Sequence, residues 1–185
     1  PSRGLGDVYK RQILYTLKEK LDAIEPLVLN IRVGGNDLCH VFGFRRHVTQ
    51  SIHDIRPISD IFSDIITVFG MDYVISGPVW EYYNGSGWDR GLKAELAQDR
   101  LCGFTGKTVI HPNQIPLVND AYRVSKEDYE DAKAILHWEE TAPSLVHGNV
   151  KKARMNECKT HSNWAMQILM LAEAFGVVDS ESSAL

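Results

Sequence analysis

Three polar residues, each placed just after an apolar segment, are the candidates for chemistry in this sequence. Asp37 follows an apolar run and two glycines, and Glu81 and His111 each follow a further apolar run. A carboxylate beside glycines suits a hard divalent cation such as Mg²⁺, because backbone oxygens can approach closely there. A second carboxylate suits acid–base work. A histidine can polarise a carbonyl or hold an anion.

Each of these residues also has a purely structural interpretation. Asp37 could cap the turn or helix that follows it, and the sequence leaves the two interpretations open. Glu81 is more typical of a salt-bridged loop residue than of an acid–base group. His111 could be a packed histidine bonded to backbone, and again both interpretations stand.

One further motif resembles a phosphate-binding loop but does not satisfy its requirements. Residues 106–108 read Gly-Lys-Thr, yet the first glycine that a P-loop needs falls at Leu101. The order of elements is also wrong, because this segment enters a predicted strand instead of a helix. A nucleotide phosphate site is therefore not expected here.

Histidines and a basic pair share one predicted loop. His40, His47 and His53 have mixed spacing and no nearby cysteine pair, so a zinc site is disfavoured. Arg45 and Arg46 are adjacent, and the default interpretation is a solvated surface pair, with an anion clamp as the alternative.

The elements that must position these residues alternate along the chain. Helices are predicted over 13–24, 57–69, 89–101, 114–122, 126–139 and about 161–175, and strands over 27–33, 73–79 and 107–110. Such alternation indicates right-handed βαβ units and a parallel sheet. The carboxyl ends of parallel strands meet at one edge, so the three candidates are expected there. Three strands cannot close a barrel, but they fit the last third of an eight-stranded one.

Individual side chains follow from the same periodicity. Leu92 and Leu96, with Leu101, are predicted to face inward from their helix, and Ser125 is a candidate N-cap. The last helix has an apolar face made of Trp164, Ile168, Leu171, Ala172 and Phe175.

Composition excludes several classes of protein. The net charge is −4 and no basic stripe is present, which argues against nucleic-acid binding. No run of 18 apolar residues exists, so no membrane span is expected. Three widely spaced cysteines, Cys39, Cys102 and Cys158, are typical of reduced thiols, which predicts a cytoplasmic protein.

The sequence predicts three segments of different character. Residues 1–12 are interpreted as a non-native or disordered leader, because the chain begins with Pro1 and its first methionine is Met71. Residues 13–142 form the predicted α/β domain. Residues 143–185 form a predicted lid or helical extension, joined through a linker at 143–148.

One motif resembles a known family. Gly103–Ile115 reads GFTGKTVIHPNQI, similar to the G-F-x-G-K-x-x-I-H-P-x-Q-I signature of the citrate lyase β-subunit and HpcH/HpaI aldolase family. Arg32–Leu38 resembles the metal-binding strand end of that family. The tail, with His147-Gly148, Glu157, His161 and Trp164-Ala165, resembles its C–C bond lyase branch. The implied fold is the C-terminal part of a TIM (β/α)8 barrel, about its last three strands, plus a C-terminal helical extension.

The resemblance also implies a function. Members of the family are Mg²⁺-dependent lyases that cleave or form a carbon–carbon bond beside an oxo-acid or acyl-thioester carbonyl, through a metal-stabilised enolate. The implied substrate is a small oxo-acid or acyl-CoA-type molecule. The resemblance implies Asp37 as metal ligand, Gly34 and Gly35 as backbone around the metal-bound oxygens, and Glu157 as a lid carboxylate from a neighbouring subunit. Together with the candidates above, the predicted catalytic residues are Glu81 and Glu157, and the predicted substrate-binding residues are Gly34, Gly35, Asn36, Pro78 and His111.

The resemblance is incomplete at the N-terminal side. A second metal carboxylate and a substrate-binding arginine of the family would lie before residue 13 and are absent from these residues. One aspartate should bind Mg²⁺ weakly, so the 185 residues alone are expected to be inactive. Open strand edges are expected to favour association, and a homo-oligomer is expected for the full-length form. The alternatives are a thioester hydrolase or synthase on the same fold, or a non-catalytic accessory barrel.

Overall fold

The structure is a computed structural model that describes residues 3–137, 146–148 and 153–179. The chain divides into two compact units, Pro1–Ala121 and Tyr122–Leu185. Within the described ranges, no helix is long and apolar enough to cross a membrane.

The first unit alternates helices and short parallel strands. Its elements are α1 (Arg3–Asp22), β1 (Ile31–Arg32), α2 (Gly35–Phe42), α3 (Arg56–Phe69), β2 (Ile75–Gly77), α4 (Trp88–Cys102), β3 (Gly106–Lys107) and the start of α5 (Gln114–Tyr122). The sheet order is β1-β2-β3, and both pairs are parallel. The α/β class and the parallel sheet are therefore confirmed.

The ladder is shorter than the predicted strands, because a 3-10 turn at Glu25–Leu27 and extended backbone occupy the first part of the 27–33 segment. Leu29 lies in that segment and is exposed. The first helix starts ten residues earlier than the predicted residue 13, at Arg3. Helix α2 was not predicted at all.

The core of this unit lies between the sheet and α3. The inward side of α3 buries Ile58, Phe62 and Phe69, at helical spacing. Phe62 meets Phe104 edge-to-face, with ring centroids 5.5 Å apart. This packing holds β2 and the loop before β3 against α3, which fixes the sheet that supports the strand ends.

Helix α4 has an inward face that is part apolar and part charged. Leu92 and Leu96 are buried as predicted, and Glu95 and Asp99 are buried beside them. The prediction for Leu101 was wrong, because this side chain is 90% exposed. At 100° per residue Leu101 lies 140° around the helix from Leu96, which places it on the solvent side.

The second unit is built from two packed helices and two small strand pairs. Its elements are β4 (Val124–Ser125), α6 (Lys126–Leu136), β5 (Val146–Gly148), β6 (Met155–Glu157), α7 (Cys158–Phe175) and β7 (Val177–Val178). Strands β4 and β7 pair in parallel, and β5 and β6 pair antiparallel.

Two predicted features of this unit are confirmed, the Ser125 cap and buried residues on the apolar face of the last helix. The Ser125 hydroxyl accepts a hydrogen bond from the Asp128 amide and so caps α6. On α7, Ile168 and Ala172 are buried against α6. Residues 143–145 of the predicted linker lie outside the described residues, and 146–148 form β5.

Candidate functional site

The loops after β1, β2 and β3 lie at one edge of the sheet. The parallel register aligns Arg32 with Ser76 and Gly77 with Lys107, so the three strands end side by side at this edge. Asp37 lies in the first turn of α2, the helix that follows β1, and the loops after β2 and β3 carry Glu81 and His111. These three side chains are called the rim below.

Asp37 lies in the first turn of α2 and is exposed. Its Oδ2 atom lies only 2.6 Å from where a Cβ on Gly34 would be, so a glycine leaves room for the carboxylate over the helix start. A negative charge is favourable there because the amide dipoles of the first turn point toward it. Among the described residues, no hydrogen bond or ion pair engages this carboxylate. It is therefore available to a ligand.

The described residues do not form a metal site by themselves. In those ranges no group of three His, Cys, Asp or Glu side chains is placed to hold a metal. Asp37 fits as one oxygen ligand of a hard cation. The neighbouring amide oxygen of Asn36 is already bonded to Arg46.

Gly35 and Pro78 bring the first two strand ends into contact. Both are buried, and a Cβ on Gly35 would lie 2.5 Å from Cβ of Pro78 and 2.7 Å from Cδ1 of Ile52. Only glycine permits this approach. The structure thus gives Gly35, two residues before Asp37, a packing contact with Pro78.

Glu81 is half-buried and faces Arg45. Its Oε2 atom lies 3.6 Å from Nε of Arg45, whose side chain is 83% exposed. Within the described residues, Oε2 is buried without a hydrogen-bond partner. The contact matches the salt-bridged interpretation, and the unbonded oxygen leaves Glu81 able to accept a proton or a hydrogen bond.

His111 is packed against Tyr83. The two rings stack with centroids 4.3 Å apart and an interplanar angle of 17°. Nδ1 of His111 accepts a hydrogen bond from the Asn113 amide at 3.2 Å. Since Nδ1 accepts, the ring proton lies on Nε2, which can donate to a substrate oxygen.

A buried ion network lies beneath the rim, and sequence reasoning missed it. It consists of two cations and two carboxylates, with side chains at most 1% exposed: Arg46, Lys107, Glu95 and Asp99. Lys107 Nζ lies 2.9 Å from Glu95 Oε1 and 2.6 Å from Asp99 Oδ2. Arg46 Nε lies 3.2 Å from Glu95 Oε2. Buried charges persist when they are paired in this way.

Arg46 was predicted to be a solvated surface residue, and that prediction was wrong. Its Nη1 donates to Asn36 Oδ1 at 3.2 Å, its Nη2 donates to the Val79 carbonyl, and its guanidinium lies 5.1 Å from the Trp80 ring centre. Arg45, the other half of the pair, is exposed as predicted. The sequence of two adjacent arginines does not indicate which of them is buried. Burial of Arg46 depends on its contact with Glu95, 49 residues further along the chain.

The spacing of α4 did contain a signal for the network. Glu95 and Asp99 occur at i+3 and i+7 from Leu92, on the same face as Leu96. Carboxylates on an apolar helix face indicate buried partners. Lys107, in the Gly-Lys-Thr segment that failed as a P-loop, is one such partner.

Gln114 links the second and third strand-end loops. It is 1% exposed, and its Nε2 donates to the carbonyls of Trp80 and Tyr82, both at 2.9 Å. Its Oε1 accepts from the Ile110 amide at 3.0 Å. This gives the glutamine of the I-H-P-x-Q segment a physical role in the loops.

The far end of the network reaches a histidine and a thiol. Nε2 of His53 lies 2.8 Å from Asp99 Oδ1, and its Nδ1 lies 3.7 Å from the sulfur of Cys102. Burial, with a contribution from the Asp99 charge, raises the pKa of Cys102. The thiol therefore stays protonated at neutral pH and is a poor nucleophile.

Glu157 belongs to the second unit. It is the last residue of β6, is half-buried, and its amide donates to Nδ1 of His161 at 2.9 Å. That bond joins Glu157 to the first turn of α7 and involves only the Glu157 backbone. The catalytic role of the Glu157 carboxylate stays a prediction.

Comparison with known proteins identifies what the chain is similar to. Among solved structures it resembles the protein CitE of Mycobacterium tuberculosis, solved with magnesium, acetoacetate and coenzyme A, with a TM-score of 0.55 and 22% identity. That match covers 78% of this chain and 52% of the CitE chain, and at this identity it shows the fold alone.

Curated relatives include the same protein from several strains of one bacterium. The (3S)-malyl-CoA thioesterases of Cereibacter sphaeroides strains ATCC 17029 and KD131 are each 34% identical over 98 residues. The matched segment covers 50% of this chain and 32% of each thioesterase. The chain thus matches about a third of the length of these relatives.

The family model described as a C–C bond lyase of the TIM-barrel fold matches residues 6–177, nearly the whole chain. The resemblance found in the motifs is therefore confirmed: this chain belongs to the C–C bond lyase family of the TIM-barrel fold.

Proposed function

We propose that this chain contributes to a Mg²⁺-dependent lyase that cleaves or forms a carbon–carbon bond beside the carbonyl of an oxo-acid or acyl thioester. The observation that carries the proposal is the Asp37 carboxylate, exposed in the first turn of α2 after β1, without a partner in the described residues. Membership of the C–C bond lyase family supports the reaction class. A parallel three-stranded sheet with helices supports a partial barrel.

The substrate class follows from the relatives. CitE was solved with acetoacetate and coenzyme A, and the Cereibacter proteins are malyl-CoA thioesterases. An acyl-CoA that carries a carbonyl or hydroxyl group near the thioester is therefore the proposed substrate class. The proposal includes a homo-oligomer and a cytoplasmic location.

Asp37 would hold the metal in this proposal. A bound Mg²⁺ supplies a Lewis acid that stabilises negative charge on a carbonyl oxygen. The first amides of α2, at Asn36 and Asp37, have no acceptor within the helix and can bind an anionic oxygen of the substrate. The remaining metal carboxylate and the substrate-binding arginine are proposed to come from outside the described residues.

Acid–base work is assigned to the other two rim residues. Glu81 is proposed as the acid–base carboxylate: its Oε2 is ion-paired with Arg45 at 3.6 Å but has no hydrogen-bond partner in the described residues, and the carboxylate must turn out of its buried position to take a proton from substrate. Nε2 of His111 can donate a hydrogen bond to a carbonyl oxygen as charge develops there. Glu157 is proposed to act on the site of a neighbouring subunit.

Calorimetric titration of Mg²⁺ tests the metal assignment. The wild-type chain is expected to bind weakly, and Asp37→Asn is expected to lose that binding because the side chain becomes neutral. Asp60→Asn is a matched control, since it neutralises an exposed carboxylate on α3 that pairs only with Arg56 in the described residues. Equal binding by wild type and Asp37→Asn would refute the assignment and favour a helix-cap role.

A second candidate, thioester hydrolysis, is favoured by the names of the 34%-identical relatives. Malyl-CoA separates the two reactions by their products. Carbon–carbon cleavage leaves the thioester intact, so no free thiol appears, whereas hydrolysis releases the coenzyme A thiol, which a colorimetric thiol reagent detects. If free thiol increases while the malyl carbon skeleton stays intact, the activity is thioester hydrolysis and the lyase proposal is wrong.

A further inference from the structure

Arg46 occupies an unusual position for a functional residue. It lies in the loop between α2 and α3, outside every strand and helix, yet it is only 3% exposed. Its two terminal nitrogens reach different strand ends. Nη1 donates to Asn36 in the first turn of α2, and Nη2 donates to the Val79 carbonyl in the loop after β2.

The direction of the guanidinium is set by α4. Glu95 Oε2 faces Arg46 Nε at 3.2 Å and also accepts the Ile52 amide at 2.9 Å, while Oε1 accepts Lys107 Nζ at 2.9 Å. With contacts on both oxygens, Glu95 has little freedom to turn. Arg46 therefore connects a fixed carboxylate on α4 to two loops at the strand ends.

A lysine at position 46 could supply the same charge but not the same contacts. The planar guanidinium donates in several fixed directions at once, whereas an ammonium group is a single point charge on a flexible stem. Only the arginine can face Glu95, Asn36 and Val79 together. This separates a role in charge balance from a role in joining the loops.

Asp37 is the residue that depends on this junction. Its carboxylate has no partner in the described part of the chain, so its direction follows the backbone at the start of α2. Asn36, the adjacent residue, is the one that Arg46 holds. The amides of Gly35 and Leu38, bonded to the carbonyls of Val33 and Gly34, report the order of this turn.

We propose that Arg46 is a positioning residue for Asp37: it joins the start of α2 to the loop after β2 and so fixes where the Asp37 carboxylate points. The junction itself stands on the contacts above, and its consequence for metal binding rests on the proposed function.

Amide hydrogen exchange, measured residue by residue, tests the junction without any metal. Arg46→Lys retains the charge beside Glu95 but loses the donors to Asn36 and Val79, so we expect a smaller loss of melting temperature than in a variant without the charge. We expect the Gly35 and Leu38 amides to exchange about tenfold faster, through local opening of the α2 start. Arg46→Met is expected to show the same faster exchange together with a clear loss of melting temperature.

Gln114→Ala provides the matched comparison, because Gln114 joins the loops after β2 and β3 instead. It is expected to speed exchange at Ile110, whose amide bonds the Gln114 side chain, while Gly35 and Leu38 stay as in wild type. Wild-type exchange at Gly35 and Leu38 in Arg46→Lys would overturn the proposal and leave Arg46 with charge balance alone. Uniformly faster exchange in all variants would overturn it as well.

Mg²⁺ titration supplies the second arm. Arg46 holds Asn36, the neighbour of the proposed ligand, and not Asp37 itself, so Arg46→Lys is expected to weaken Mg²⁺ affinity by about tenfold, the lower end of the range for loss of a direct partner of a metal ligand. If wild type binds no Mg²⁺, the proposed metal function fails, and the exchange result still decides the junction. If wild type binds and Arg46→Lys binds equally well, the positioning of Asp37 is refuted.

Discussion

The rim and the buried ion network lie in the same unit and both contain carboxylates, yet they differ in how these carboxylates are held. Asp37 is exposed without a partner among the described residues, whereas Glu95 is fully buried and contacts Arg46, Lys107 and the Ile52 amide. Charges with many partners cannot easily exchange them for a ligand. The rim can therefore bind, and the network can hold the loops that carry the rim.

Removal of Glu95 should produce the largest effect. Glu95→Ala leaves two buried cations with one carboxylate, and breaking a buried pair in this way costs about 3–5 kcal/mol of unfolding free energy. Urea denaturation measures the loss. Asp60→Asn, in a pair whose side chains are 86% and 63% exposed, is the control and should cost less than about 1 kcal/mol. Similar losses in the two variants would remove the distinction between buried and exposed charges.

Crowding at Gly35 should give the next largest effect. A methyl group there would overlap Pro78 and Ile52, and overpacking of this kind costs about 1–3 kcal/mol. Gly106→Ala is the matched control, because its nearest neighbour, Ser76 Oγ, lies at an ordinary 3.6 Å. Thermal unfolding compares the two variants. If Gly35→Ala loses no more stability than Gly106→Ala, the carboxyl ends of β1 and β2 can move apart without cost.

A cluster between α1 and β2 is an intermediate case. Lys18 pairs with Asp22 and Asp72, both at 2.9 Å, and Asp22 accepts the Tyr73 hydroxyl at 2.8 Å. Burial and then the bond to Asp22 raise the pKa of Tyr73 to about 12. Its contribution to stability is thus present below the ordinary pKa of 10.0 and is lost as the pH rises through 12.

Absorbance at alkaline pH checks this. Tyr73 should ionise near pH 12, and Tyr73→Phe should lower the amplitude of absorbance change in that range and reduce the loss of stability above pH 10. A tyrosine titration that is the same in Tyr73→Phe and wild type would contradict the assignment.

The order of helices and strands could be predicted from the sequence, because local periodicity and glycine positions determine where these elements occur. It predicted the parallel sheet, the edge at which Asp37, Glu81 and His111 lie, and the Ser125 cap. It did not reveal the burial of Arg46, since that depends on Glu95 and Lys107, which are distant in the chain. Helix α2 was also missed, because two glycines at its start are typical of a turn.

Neutralisation of Asp37 should have the smallest effect on stability. The carboxylate is exposed and lacks a partner in the described residues, so Asp37→Asn should change the unfolding free energy by less than about 0.5 kcal/mol, within the usual range for surface substitutions. The same variant should lose Mg²⁺ binding. Asp37→Asn would then lose Mg²⁺ binding without losing stability. Glu95→Ala is expected to lose both, because Glu95 holds the fold and the loops. A large loss of stability in Asp37→Asn would instead indicate that Asp37 stabilises the start of α2 as a helix cap.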